Sequence, residues 1–159
     1  MDAFLGEFVY GSIDGIITTF SIVAGSVGGG LSKNVILILG LSNVISDGFS
    51  MGVSRYLSAS AEIQQKLLKG KNAFISGLAT FISFVIIGML PILPFLFTDG
   101  VEAKKISLMI ALFMFAIIGI IKGYVTRQNI VWSGIETFLI GTTAALLAYS
   151  IGHSLSDME

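Results

Sequence analysis

Asn43, Asp47 and Met51 follow one another at i, i+4 and i+8, a spacing that on a helix places an amide, a carboxylate and a thioether on one face. Upstream, Asp14, Thr18 and Ser21 form a second polar stripe at helical spacing. Oxygen donors converging with a sulfur suit a divalent metal ion, which must exchange several water ligands at once for protein ligands. Mg2+ and Ca2+ gain little from a thioether, so Met51 beside carboxylates argues for Fe2+ or a later transition metal. Other chemistries lack their residues. The chain has no cysteine, which removes thiolate metal sites and disulfides, and its one histidine, His153, is six residues from the end. A Ser-His-Asp hydrolase and a His-rich metal centre are both excluded on that basis, and no enzyme activity is expected.

The elements that must carry these residues are set by composition. Of 159 residues, 54% are hydrophobic and 12% charged, with a mean hydropathy of +0.91. Soluble domains carry about 25% charged residues. There is too little polar side chain to cover a water-facing surface, so the surrounding medium is lipid and the expected class is an all-α integral membrane protein. A formal net charge of -1 leaves no basic surface for phosphate, and nucleic acid is not a partner.

Charges and turn residues divide the chain into five apolar stretches of roughly bilayer length, at about 9–30, 34–56, 73–97, 105–125 and 130–152. The third contains no charge. The first opens with Asp2 and Glu7 where a secretory leader needs basic residues, so no cleavage is expected. One end of the bundle collects Arg55, Lys66, Lys69, Lys71, Lys122 and Arg127, and the other Lys33, Lys104 and Lys105. The positive-inside rule then puts the N-terminus in the cytoplasm and the C-terminus outside. Connections are short, the longest being Leu57 to Asn72, so a single transmembrane domain over 1–159 is expected with no extramembrane domain.

In this frame Asp14 and Asp47 both fall in the cytoplasmic half of their spans at similar depth, where each costs at least ~2.5 kcal/mol. They are placed to share one site. The plainer readings are that Met51 is a packing residue and that each aspartate is a packing device satisfied by Ser or Thr hydroxyls. Gly11 with Gly15, and Gly25 with Gly29, have the spacing of close helix contacts. Pro91 and Pro94 predict a kink near the outer end of the third span. Glu136 is expected to form a structural ion pair with Lys122 or Arg127, Lys122 being preferred. Glu62 reads as a solvated loop or helix-end charge that cannot by itself hold a divalent ion.

The run from Gly11 through Asp14-Gly15 to Gly25, followed by Leu39-Gly-Leu-Ser-Asn-Val-Ile-Ser-Asp47-Gly48-Phe-Ser-Met51, resembles the vacuolar iron transporter family. The likeness continues through Tyr56-Leu-Ser, Ala61-Glu62, Gly77-Leu-Ala-Thr-Phe, Leu90-Pro-Ile-Leu-Pro94-Phe and the set Gly134, Glu136, Gly141, Tyr149 and Gly152. The resemblance implies a five-helix protomer that forms a twofold homodimer and exports Fe2+, often also Mn2+, from the cytosol in exchange for protons. It implies metal ligation by Asp14, Asp47 and Met51; Asn43 joins them by helical spacing, and proton coupling through Asp14 and Asp47 is expected because proton and metal compete for the same carboxylate oxygens. The metal is cargo, and no permanently bound cofactor is expected. Membership would place the protein in the cell membrane of a prokaryote or a vacuolar-type membrane of a eukaryote. Members with a cytoplasmic metal-collecting domain carry it between helices two and three, and here that connection is too short to hold one. A non-transporting membrane module of the same fold, an assembly partner or metal sensor, is the alternative.

Overall fold

The computed structural model describes residues 4–65 and 72–158. Six helices follow in order: α1 (Leu5–Gly28), α2 (Lys33–Gln64), α3 (Ala73–Met89), α4 (Leu93–Phe97), α5 (Gly100–Thr126) and α6 (Ile130–Ser156). There is no strand among the described residues. Four of the helices, α1, α2, α5 and α6, are long and apolar enough to cross a membrane, and α3 is a shorter apolar helix.

Local chemistry explains where the helices begin and end. Asn72 and Asn129 cap α3 and α6, their side-chain oxygens accepting from Phe74 N at 2.9 Å and Trp132 N at 3.0 Å. Between α1 and α2 the chain reverses through a Schellman motif, with Leu31 N–H donating to Ser26 O at 2.9 Å and Gly30 N–H to Val27 O at 3.2 Å. Gly30 takes the left-handed position there, at φ +66°, which a side chain would strain.

Two expectations are corrected. The third stretch, 73–97, is not one kinked helix. α3 ends at Met89 and the chain restarts as α4, because Pro91 has no N–H to donate and its ring crowds the preceding turn. Pro94 sits in the first turn of α4, where a missing N–H costs nothing. The break is sealed from α5: Ser107 Oγ, fully buried, donates to Pro91 O at 2.6 Å. The second correction concerns α2, which continues past residue 56 to Gln64. Leu57 to Gln64 contains neither Gly nor Pro, so nothing stops the helix when its apolar stretch ends. Glu62 is therefore a helix-end charge, in the last turn of α2, and not a loop residue. Lys66, Lys69 and Lys71 lie outside the described residues.

α1 occupies the middle of the bundle and packs most extensively on α3 and α6. Glycines let it do so. A Cβ on Gly11 would collide with Ser83 Oγ and the Thr80 carbonyl, and one on Gly15 would stand 2.6 Å from Phe84 O. Further along, Gly25 and Gly28 lie against Ala148 and Tyr149 of α6, and Gly152 returns the contact on Gly25. Matching registers ascend together, so α1, α3 and α6 run in one direction. α2 and α5 run the other way, as Gly52 against Gly77 with Gly40 against Ile92, and Gly123 against Ile130 with Gly141 against Phe115, require. The core between them holds Ile16, Phe20, Val44, Phe84, Ile92 and Phe115, with Phe20 and Phe115 edge to face at 6.0 Å. Outward faces carry Ile38, Phe49, Phe113, Leu146 and Leu147, which suits lipid.

Candidate metal site

Antiparallel α1 and α2 meet at a charged cluster that marks their register. Glu7, in the first turn of α1 and only 5% exposed, accepts from Arg55 Nη2 of α2 at 3.0 Å. Arg55 Nη1 also donates to Glu62 Oε1 at 3.1 Å, and Ser58 Oγ donates to the same oxygen at 2.9 Å. Counting from that pair, Asp14 is seven residues along α1 and Asp47 eight residues back along α2, displacements of about 10 and 12 Å. The two aspartates thus lie level. Asp14 lies in the electrostatic field of Asp47, and both are half-buried.

Neither aspartate has an ion pair or a side-chain hydrogen bond among the described residues. That distinguishes them from the paired charges of the bundle. Lys33 pairs with Asp99 at 2.6 Å, Lys122 with Glu136 at 2.6 Å between α5 and α6, and Arg55 with two glutamates. Arg127 sits instead at the left-handed end of α5. Thr18, one turn along the same helix, does not serve the Asp14 carboxylate: its Oγ1 donates to the Asp14 backbone carbonyl at 2.7 Å.

Below the aspartates a groove of about 700 Å³ opens between the two helices, lined by Gly6, Glu7, Tyr10, Ser50, Met51, Ser54, Arg55 and Ser58. Met51 lies one turn from Asp47 and Tyr10 one turn from Asp14, so the groove leads to the carboxylates without including them. On the far side Asn43, one turn beyond Asp47, has its buried Nδ2 without a partner among the described residues. Two carboxylates, an amide and a thioether are thereby gathered along one α1–α2 seam. Among the described residues no three His, Asp or Glu side chains gather into a metal-holding group.

Sequence reasoning missed the cluster at the groove mouth. In the sequence alone Glu7 argues only against a leader peptide, and Arg55 enters only the charge bias that orients the bundle. The spacing held a signal, because Glu7 precedes Asp14 by seven residues and Arg55 precedes Glu62 by seven, two helical turns in each case.

The VIT family model matches residues 5–70 and 62–153, which is nearly the whole chain. The chain belongs to the VIT family. The two matched pieces meet at 62–70, the connection between α2 and α3. A vacuolar iron transporter of Centaurea cyanus is 24% identical, with 91% of this chain and 85% of that protein covered. One from Toxoplasma gondii is 52% identical over 54 residues, covering 34% of this chain and 18% of that protein. An uncharacterized protein, MJ0645 of Methanocaldococcus jannaschii, is 26% identical over 90% of this chain and 85% of its own length. The alignment with the Centaurea protein spans 208 positions, so that relative carries residues this 159-residue chain lacks. Family membership makes this an integral membrane protein of a metal transporter family, and not an enzyme.

Proposed function

We propose that this chain exports a divalent metal, Fe2+ or Mn2+, from the cytosol in exchange for protons, with Asp14 and Asp47 binding metal and proton alternately. One observation carries the reading: two half-buried carboxylates, one in the electrostatic field of the other, have no cationic partner among the described residues. A pair of like charges held away from bulk water requires a cation, and a divalent ion balances both. Met51 and Asn43 extend the donor set, and the thioether favours Fe2+ over a harder ion. The cytosolic N-terminus rests on the lysine and arginine bias of the connections.

A homodimer completes the shell in this reading. Ser42, Ser46, Ser50, Ser54 and Ser58 form an exposed stripe of small residues along α2, flanking Asp47, a surface that suits the close approach of another helix. A twofold axis beside α2 would bring a second copy onto that stripe and double each contributed ligand. Metal requires the ionised carboxylates and a proton abolishes them, so the two cargoes exclude each other. Exchanging two protons for one divalent ion conserves charge, and each unit of pH gradient supplies about 1.4 kcal/mol per proton.

The test is purified protein in liposomes with a set pH difference and the membrane potential clamped. Metal moves toward the more acidic side, and proton flow appears on adding metal. Metal flux that ignores the pH gradient would reduce the protein to a uniporter, and no flux at all would favour a non-transporting module.

A further inference from the structure

We propose that Arg55 is a tethered cation guarding the groove: a metal ion held there takes Glu7 from Arg55 and keeps it for as long as the ion is bound, so that Arg55 sets the metal concentration at which the groove fills. The proposal rests on the reading of Asp14 and Asp47 as the metal site. Glu7 is almost fully buried, and a carboxylate in that position needs a counter-charge. Arg55 supplies it from across the helix pair at 3.0 Å. Both residues line the groove that also contains Met51 and ends one turn short of the aspartates. A cation entering from that end passes between Glu7 and Arg55, and finds the first carboxylate on its path already occupied by a guanidinium.

The second carboxylate explains how such a guard can move without being lost. Arg55 is 22% exposed at its side chain, and its other nitrogen is held by Glu62, whose Oε1 is fixed in turn by Ser58. Glu62 and Ser58 lie on the same helix as Arg55, at i+7 and i+3, so that contact survives any shift of α1 against α2. The Glu7 contact does not, because it bridges the two helices. Arg55 has one inter-helix partner to surrender and one intra-helix partner on which to rest. A divalent ion brings twice the charge of the guanidinium it replaces, whereas Na+ or K+ brings the same charge and must also shed water. The exchange therefore favours divalent over monovalent cations before the aspartates are reached.

The experiment measures Mn2+ binding to the purified full chain in nanodiscs, by the loss of the free-ion paramagnetic signal, at fixed pH and salt. Arg55→Gln is expected to bind Mn2+ about tenfold more tightly than the wild type, the equivalent of one charge-assisted bond that no longer has to be given up in the metal-bound state. Adding Glu7→Gln to that variant removes the contested carboxylate, and the gain disappears. Arg127→Gln, which removes an equal charge away from the groove, leaves affinity unchanged. Unchanged or weaker binding by a folded Arg55→Gln protein would make Arg55 a structural staple and overturn the proposal. A gain that persists in the double variant would overturn it too, since the effect would then be a general field. If Arg55→Gln does not fold, Arg55→Lys keeps the charge but loses the fork, and about a threefold gain is expected; affinity equal to the wild type would overturn the guard. Absence of Mn2+ binding in wild type and variants alike would overturn the metal-site reading and the guard with it, whereas wild-type binding left untouched by Arg55→Gln overturns the guard alone.

Discussion

Asp14→Ala and Glu7→Ala remove the same functional class from the same helix, two turns apart, and are expected to have opposite effects on stability. Asp14 has no cationic partner among the described residues and stands in the field of Asp47. With packed helix axes 8–10 Å apart, two carboxylates at about 8 Å and an effective dielectric of 20 repel by roughly 2 kcal/mol. Removing Asp14 relieves that repulsion along with the cost of holding a charge in the bilayer, so the metal-free protein should be no less stable. Glu7 is the buried partner of Arg55, and its loss leaves a guanidinium held only by Glu62, at a cost of about 2–3 kcal/mol. For a chain of this size that lowers the thermal midpoint by about 5 °C or more. The assay is thermal unfolding of both variants in one detergent without metal, beside Mn2+ flux into liposomes. The expected result is a midpoint for Asp14→Ala at or above the wild type with flux abolished. A fall matching that of Glu7→Ala would make Asp14 a packing residue, and wild-type flux would remove it from the transport site.

Met51→Leu keeps volume and loses sulfur, so Fe2+ flux should fall several-fold more than flux of a harder ion, measured side by side in dye-loaded liposomes; equal losses would assign Met51 to shape alone. Gly15→Ala would set a Cβ 2.6 Å from Phe84 O, backbone that cannot yield, and should abolish folded protein in detergent by size-exclusion chromatography. Ser107→Ala leaves the buried Pro91 carbonyl unsatisfied at the α3–α4 break, costing about 1–3 kcal/mol in thermal unfolding with Mn2+ affinity unchanged.

What could be read from the sequence, and what could not, follows from how far apart the interacting residues lie. Asp14 and Asp47 stood out singly, because a carboxylate in an apolar run is costly wherever its neighbours are. The small-residue pairs on α1 were legible for a related reason: Gly11 and Gly15 share a face by spacing alone, although only the fold says that α3 fills it. The end of α2 was misplaced because hydropathy marks where a helix leaves lipid, whereas the helix stops only where its hydrogen-bonded backbone meets a breaker, and none occurs before Gln64. The third stretch erred the other way, since unbroken hydropathy through Phe97 concealed a backbone that Pro91 interrupts. Hardest of all was the Glu7–Arg55 pair, 48 residues apart in sequence. Each is unremarkable near a helix end, and the pair exists only once the α1–α2 register is set. That same register brings Asp14 level with Asp47. The common depth of the two carboxylates was legible from the limits of their spans, whereas the contact that shares their register was not, and a substitution that lets α1 slide by one turn would part both pairs while changing neither aspartate.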